Sequence, residues 1–211
     1  MSLFRYVRRM LMAPITLLVL TVLAGTGLAV KAYRTLQERK LVRLGLRGEQ
    51  ATAEALHEAS DAGLRVFHDI QAGDDWNIDH VAVGTKGVFL LETKARSRMA
   101  SKGNEQSHHV KFDGAKLEFP CGTDEYAVAR ARRNAGWLSH YLMKKTGQSI
   151  LVDTIVVLPG WWVEGNGESV KAMNCKYLTK YLRDQKDRIS VEQAARLTLA
   201  LEEKNRTLDF I

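Results

Sequence analysis

Residues 10–30 of this 211-residue chain contain no charged side chain; their sequence is MLMAPITLLVLTVLAGTGLAV. About 20 apolar residues in a helix are enough to cross the hydrocarbon core of a bilayer, and Pro14 lies near the start of the run, where a helix tolerates it best. The run therefore predicts a single transmembrane helix over residues 10–30, after a tail of residues 1–9. The alternative is a cleaved secretory signal, because arginines precede the run and residues 27–29 form an acceptable cleavage site. The run is longer than the apolar core of a usual signal peptide, which favours an uncleaved anchor.

The net charge of +7 is unevenly distributed along the chain. Residues 1–43 contain eight basic residues and one acidic residue, whereas residues 44–211 contain 23 of each. The positive excess therefore flanks the predicted span, including a basic stem over residues 31–43, where it attracts anionic lipid headgroups. Three basic residues precede the span and five follow it, which favours a cytoplasmic globular domain. Any contact with nucleic acid must come from a local basic patch, since the domain as a whole is neutral.

Residues 44–211 are numerous and apolar enough to form one domain with a substantial core. Cys121 and Cys175 are far apart and form no CxxC pair, so the sequence predicts free thiols in a reducing compartment and no structural metal cage.

Hydrophobic periodicity predicts the secondary structure of this domain. A first helix is expected to continue from the stem and to end at Gly63. The later predicted elements are strands near 64–70, 77–84 and 87–94, a hairpin over 108–119 that turns at Asp113-Gly114, a helix over 124–145, strands near 150–158 and 169–174, and helices near 176–184 and 190–204. This order predicts an α/β fold in which a mixed sheet, part antiparallel and part parallel, is flanked by helices.

The hairpin over residues 77–94, NIDHVAVGTKGVFLLETK, carries a carboxylate in each of two apolar strands. If the GTKG connection is symmetric about its two central residues, Asp79 lies opposite Glu92 on one face of the sheet. Side chains alternate along a strand, so Lys94 shares that face with Glu92. A three-residue loop with Gly87 in the left-handed conformation would instead move Asp79 to the other face, unless a bulge restored the alignment.

Two carboxylates opposed so closely repel each other, and a divalent cation would offset that cost. Hard oxygen ligands are those that Mg2+ prefers, and such an ion neutralises charge that develops on a phosphodiester. Lys94, two residues beyond Glu92, could steer the attacking water or meet the transition-state charge. The plainer alternative is an ordinary cluster of Asp79, Glu92 and Lys94 that satisfies itself at a sheet edge.

Motifs in this order resemble the nuclease-related domain (NERD) family, a branch of the PD-(D/E)XK nuclease superfamily. LGLRGEQATAEAL resembles the family's opening Gly-x-x-Gly-Glu helix, with Gly45, Gly48 and Glu49. Residues 77–94 resemble its Ile-Asp-His strand, glycine-bounded turn and Glu-x-Lys strand. The resemblance covers about residues 44–160. It implies a restriction-endonuclease-like fold and phosphodiester hydrolysis that depends on Mg2+ or Mn2+.

The resemblance also implies roles for individual residues. Asp79 and Glu92 correspond to metal ligands, and Lys94 corresponds to the group that orients the attacking water. The backbone carbonyl of Thr93 and the carboxylate of Glu49 are implied as further ligands. Glu49 has a plainer explanation as well, because we place it in the first turn of its helix, where the helix dipole favours a carboxylate.

The chain departs from the family pattern in the segment EYAVARARRNA. Family members often carry Asn-Pro and then Gln at the start of this helix, and here Arg130 stands at the Gln position. We expect the change to affect catalytic efficiency more than the fold. His80 points away from Asp79 by strand alternation, which predicts a core histidine with satisfied hydrogen bonds.

Basic residues follow the second strand of the hairpin and lie on the amphipathic helix. They are Arg96, Arg98, Lys102, Arg130 and Arg133. Contacts from these side chains to phosphates would be independent of sequence and sensitive to salt. A solvated charged surface is the alternative.

The sequence thus predicts a single-pass membrane protein whose cytoplasmic domain is a nuclease that acts on nucleic acid, DNA more than RNA. A second hypothesis is a non-catalytic nucleic-acid-binding or adaptor module that retains the nuclease fold at the membrane. The neutral domain and Arg130 favour the second hypothesis, whereas the intact set of Asp79, Glu92 and Lys94 favours the first. A structural membrane protein without a site would leave the carboxylate pair unexplained.

Overall fold

The structure is a computed structural model that describes residues 3–73, 76–97 and 108–206, with side chains over residues 17–205 of these ranges. The elements follow in this order: α1 Leu3–Ser60, β1 Arg65–Gln71, β2 Asn77–Gly84, β3 Gly87–Thr93, β4 His109–Phe112, β5 Leu117–Phe119, β6 Gly122–Asp124, α2 Tyr126–Thr146, β7 Val152–Val157, β8 Trp162–Glu164, β9 Val170–Met173, α3 Cys175–Arg183 and α4 Val191–Arg206. The chain divides into two compact units, Met1–Arg43 and Leu44–Ile211.

The first unit consists of the N-terminal part of α1, which is long and apolar enough to cross a membrane. Its described apolar side chains, such as Leu17 and Leu23, are exposed. The hydroxyls of Thr21 and Thr26 donate to backbone carbonyls three residues earlier in the helix, over 2.8 and 2.9 Å. The only side-chain hydroxyls in its apolar stretch that the structure describes are therefore satisfied within the helix, as a lipid environment requires.

A five-stranded mixed sheet forms the centre of the second unit, in the order β1-β2-β3-β7-β9. The pairs β1-β2 and β2-β3 are antiparallel, and the pairs β3-β7 and β7-β9 are parallel. The predicted α/β class and mixed sheet are confirmed. In the hairpin, Val83 pairs with Val88 and Val81 with Leu90, and Gly84 pairs with Gly87. The two-residue connection is therefore the observed one, and the shifted register is excluded.

A second, four-stranded sheet has the order β6-β5-β4-β8. The predicted hairpin is its β4-β5 pair, and the Asp113 side chain accepts hydrogen bonds from the backbone N–H groups of Ala115 and Lys116 at the turn. We did not predict β6 or β8, because strands of three residues are too short to display alternation. Cys121 and Cys175 are free thiols, as expected.

The two faces of the five-stranded sheet bury different helices. Val81, Val83, Val88 and Leu90 pack in one core with side chains from α2 and α4. Ala82, Phe89 and Leu91 pack on the opposite face with side chains from α1 and α3. The α2 face therefore takes Val81 and Val83 of β2 and the even positions of β3, and Ile78 near the start of β2 also packs in this core.

Candidate functional site

Asp79 and Glu92 lie on β2 and β3, in the interior of the sheet and beneath α2. Their side chains are 10% and 3% exposed, so both carboxylates are largely removed from water. The hairpin has the register that the symmetric turn predicted as far as the pair His80 and Leu91, and Asp79 and Glu92 are the next residues of the two strands. The alternative of a cluster that satisfies itself within the protein stays open, because protein donors reach both carboxylates.

Arg130 of α2 contacts both carboxylates. Its Nη2 donates to Asp79 Oδ1 and its Nε donates to Glu92 Oε1, each over 2.5 Å. The remaining oxygens also have donors: the Thr93 backbone N–H lies 2.7 Å from Asp79 Oδ2, and Asn134 Nδ2 lies 3.3 Å from Glu92 Oε2. A side chain of the protein, Arg130, therefore places a positive charge where the sequence predicts a metal ion.

The charges in this cluster do not balance, because two carboxylates face one guanidinium. Burial, followed by the charge of Asp79, raises the pKa of Glu92 to about 8. Burial also raises the pKa of Asp79 above its usual range, although Arg130 and the Thr93 N–H oppose the shift. Burial disfavours the guanidinium charge of Arg130, but Glu92 and Asp79 together hold its pKa above the usual value. The cluster accordingly favours the uptake of one further proton.

Lys94 follows β3 and extends the parallel pairing, since its N–H donates to the Val157 carbonyl over 2.8 Å. Its ammonium forms an ion pair with Asp124 over 2.8 Å and contacts neither Asp79 nor Glu92. Asp124 also accepts from the Ala127 N–H at the start of α2. Burial alone would raise the pKa of Asp124, but these two donors hold it below its usual range. The observed ion pair of Lys94 is therefore with Asp124 and not with the carboxylate cluster, and its place on the same sheet face as Glu92 stays a prediction.

A cavity of about 480 Å³ opens beside Asp79. It is lined by Glu49, His68, Asp69, Trp76, Asn77, Asp79, His80, Tyr126, Arg130 and Arg133. Among the described residues, no group of three or more His, Cys, Asp or Glu side chains is arranged as a ready metal site. A metal ion at Asp79 and Glu92 would consequently need backbone or water oxygens as well.

Glu49 lies on α1 and lines the cavity, but our explanation from the helix dipole is wrong. Helix α1 runs without a break from Leu3 to Ser60, so Glu49 is in the helix interior and not in a first turn. Burial, and then the charges of Asp79 and Asp69, raise its pKa. A carboxylate in this position gains nothing from the helix terminus, and its proximity to Asp79 is the remaining reason to assign it a role.

His80 is buried and lines the cavity beside Asp79, and its Nδ1 lies 2.8 Å from Nδ1 of His68. Its Nε2 has no hydrogen-bond partner among the residues that the structure describes, so the expectation of a fully satisfied histidine holds for one nitrogen only. Burial, and then the charge of His68, lower the pKa of His80 to about 4. Burial lowers the pKa of His68 too. The pair is therefore neutral at physiological pH.

The predicted basic patch is divided by its contacts. Arg96 lies over the Phe119 ring at 4.4 Å and donates to the Cys121 carbonyl, which ties it to the second sheet. Arg133 lies over the Trp76 ring at 5.0 Å and, like Arg130, lines the cavity. Arg98 and Lys102 are outside the described residues.

Sequence reasoning missed Asn134 and Asp124, the partners of Glu92 and Lys94. Asn134 could have been found, because it lies four residues after Arg130 and therefore on the same face of α2. Asp124 had no comparable signal, since it reaches Lys94 only through the fold of the second sheet.

A comparison with known families supports the resemblance that the motifs indicated. The model of the nuclease-related domain matches residues 44–159, more than half of the chain. No curated protein and no solved structure gives a significant match. The matched region contains the carboxylate pair, Lys94 and Arg130. The chain therefore belongs to the nuclease-related domain (NERD) family of the PD-(D/E)XK nuclease superfamily.

Proposed function

We propose that residues 44–211 form a metal-dependent nuclease domain that hydrolyses phosphodiester bonds, in DNA more than in RNA. The carrying observation is that Asp79 and Glu92 lie on adjacent strands, beside a cavity lined by basic and aromatic side chains. Membership of the nuclease-related family supports the same chemistry. We further propose that residues 10–30 anchor this domain to a membrane, with the domain on the cytoplasmic side.

The carboxylate oxygens of Asp79 and Glu92 are the type of ligand that a hard divalent ion binds. Two carboxylates provide the oxygen ligands that Mg2+ and Mn2+ prefer, and once both are ionised they carry one negative charge more than Arg130 neutralises. Asp79 and Glu92 would hold the ion once Arg130 turns away, and the Thr93 carbonyl and Glu49 would be further ligands. When bound, the ion supplies positive charge where negative charge develops on the phosphodiester.

The other side chains would bind and orient the substrate. Lys94 is oriented by its ion pair with Asp124, and from this position it could donate to the attacking water or to a phosphate oxygen. Arg133 would contact the phosphate backbone, which is a mode of binding independent of sequence. Trp76 and Tyr126 offer aromatic faces in the cavity on which bases could stack.

The test is cleavage of a supercoiled plasmid and of a single-stranded RNA by the detergent-solubilised chain with Mg2+, with Mn2+ or with a chelator. We expect metal-dependent cleavage of the plasmid and its loss in Asp79→Ala. A matched control is Asp113→Ala, because Asp113 lies at the β4-β5 turn and outside the cavity. Absence of cleavage with either ion, in protein that is folded by thermal melt, would contradict the enzyme.

The contact of Arg130 with both carboxylates favours a second candidate, a nucleic-acid-binding module without catalysis. In that case a permanent internal cation replaces the metal ion. Binding of DNA, measured by fluorescence anisotropy, would then be the same with Mn2+ and with chelator, and no cleavage would accompany it. Metal-stimulated cleavage would exclude this candidate.

The membrane anchor is tested by fractionation. We expect the full chain to sediment with membranes and to resist extraction by high salt, because 21 uncharged residues bind through hydrocarbon contact and not through charge. A soluble mature form that begins near Val30 would instead identify the run as a cleaved signal.

A further inference from the structure

Arg130 occupies the position between the two carboxylates that a bridging ion would need. All four carboxylate oxygens of Asp79 and Glu92 accept hydrogen bonds from protein donors, and Arg130 provides two of the four. A guanidinium and a divalent ion cannot share this position, because each is positive and each needs the same oxygens. Metal binding therefore requires Arg130 to leave.

The energy of that exchange sets the apparent metal affinity. Removal of Arg130 from the carboxylates breaks two charge-assisted hydrogen bonds in a largely buried site. Suppose that the state in which Arg130 has moved off the carboxylates is a minor fraction of the free protein. The apparent metal affinity is then the intrinsic affinity of that state multiplied by this fraction. A ligand that binds the displaced guanidinium would restore the affinity.

The cavity is a second place in which the Arg130 guanidinium could bind a negative group. The Arg130 side chain is 31% exposed and lines the cavity together with Arg133. Arg133 forms no ion pair with any residue that the structure describes, and it lies over Trp76. Two guanidinium groups beside one cavity suit a phosphate group, which arginine binds in a planar, bidentate geometry.

We propose that Arg130 is an internal counter-ion that closes the metal site in the free protein, and that a nucleic-acid phosphate in the cavity draws it away from Asp79 and Glu92. This inference rests on the proposed nuclease function and adds its regulation. Phosphate and carboxylates compete for one guanidinium, so occupancy of the cavity frees the carboxylates for the ion. By linkage, the metal ion must then strengthen nucleic-acid binding by the same factor.

The first experiment measures Mn2+ binding without nucleic acid, from the electron paramagnetic resonance signal of free Mn2+ added to the full chain in detergent. We expect Arg130→Gln to bind Mn2+ at least tenfold more tightly than the unsubstituted chain. Arg130→Lys should give a smaller gain, because one ammonium cannot reach both carboxylates as the guanidinium does. Arg132→Gln is the matched control, because Arg132 is on the same helix, donates to the Gly114 carbonyl and does not line the cavity. The Mn2+ affinity of this variant should equal that of the unsubstituted chain.

The second experiment measures coupling between metal and nucleic acid. All proteins carry Lys94→Ala so that a fluorescent 16-base-pair DNA duplex stays intact, and anisotropy gives its affinity with and without Mn2+. For each protein, the ratio of the DNA affinity with Mn2+ to the DNA affinity without Mn2+ measures the coupling. We expect this ratio to be at least threefold larger in the protein that retains Arg130 than in Arg130→Gln. The reason is that part of the coupling comes from release of Arg130 and is lost with it.

The outcomes separate the two proposals. Equal Mn2+ affinity in the unsubstituted chain and in Arg130→Gln, together with metal-dependent cleavage, would overturn the counter-ion role and leave the nuclease standing. Absence of Mn2+ binding in every variant, without cleavage, would overturn the nuclease itself. If a thermal melt finds Arg130→Gln unfolded, Arg130→Lys decides, and an unchanged Mn2+ affinity in that variant counts against the proposal.

Discussion

The Arg130 guanidinium donates from Nε to Oε1 of Glu92 over 2.5 Å, in a site where the carboxylate is 3% exposed. The same guanidinium binds Asp79, so a single positive charge contacts two buried carboxyl groups. Each ion pair of Arg130 has a short distance and lowers the pKa of its partner acid. The pKa values of Asp79 and Glu92 are nevertheless both raised by burial. The cluster is therefore held together by Arg130 without being neutralised by it.

Removal of Arg130 should destabilise the domain. Arg130→Gln leaves two buried carboxylates without a counter-charge, and we expect a loss of about 3 kcal/mol in the free energy of unfolding at pH 8 without metal. The double variant Arg130→Gln with Asp79→Asn should regain most of this loss, because the repulsion disappears with the second charge. Urea denaturation of each variant measures both effects. Additive losses in the double variant would contradict the assignment of the cost to carboxylate repulsion.

Glu92 should make the domain less stable as the pH rises. Its folded pKa is raised from 4.5 to about 8, so the unfolded chain ionises first and folding becomes less favourable from pH 4.5 up to pH 8. We expect a loss of roughly 2 kcal/mol between pH 6 and pH 8 in metal-free protein, absent in Glu92→Gln. Denaturation curves at both pH values provide the measurement. Glu118→Gln, at an exposed carboxylate of the second sheet, should behave as the unsubstituted chain does.

His80 should have the opposite pH dependence. Its folded pKa is lowered from 6.5 to about 4, so the unfolded chain takes up a proton first, and stability falls as the pH falls from 6.5 towards 4. His80→Gln keeps a polar side chain without this titration. Between pH 7 and pH 5 the variant should lose about 2 kcal/mol less than the unsubstituted chain. Equal losses would mean that His80 is solvated or paired differently in solution.

Lys94 should affect catalysis without holding the metal ion. We expect Lys94→Ala to bind Mn2+ within about threefold of the unsubstituted chain while its cleavage rate falls by roughly 100-fold or more, the loss that follows removal of one transition-state donor. Asp124→Asn should give a smaller loss of rate, because Lys94 remains but is less firmly oriented. Plasmid cleavage and Mn2+ titration report the two quantities. A large loss of Mn2+ affinity in Lys94→Ala would contradict this division of roles.

Arg133 should contribute to binding through phosphate contact. Arg133→Gln is expected to weaken the affinity for DNA duplexes of unrelated sequence by a similar factor and to reduce the slope of log K against log salt by about 1. Arg96→Ala should have less effect on the slope, since Phe119 and the Cys121 carbonyl hold that side chain against the second sheet. An unchanged slope in Arg133→Gln would assign Arg133 to the solvated surface.

Local patterns in the sequence were enough to predict the hairpin and the faces of its strands. A two-residue turn sets the register, and the register with the period of two brings Asp79 and Glu92 together. Helices α2, α3 and α4 and strands β7 and β9 were predicted for the same reason, because their apolar residues recur at helical or strand spacing. The family motifs added the nuclease-related assignment, which the family comparison confirms.

Only the tertiary structure decided which charges meet. Arg130 is 51 residues from Asp79, and nothing in the local pattern of α2 indicates that its guanidinium bridges two strands. The sequence predicts that Lys94 shares a sheet face with Glu92, yet it pairs with Asp124 of the second sheet, whose short strands left no periodic signal. Turn geometry and side-chain alternation act between neighbours in the chain, so a sequence reports them directly. Ion pairs depend on how separate elements pack in space, and so the identity of the cation at this site is a property of the folded domain.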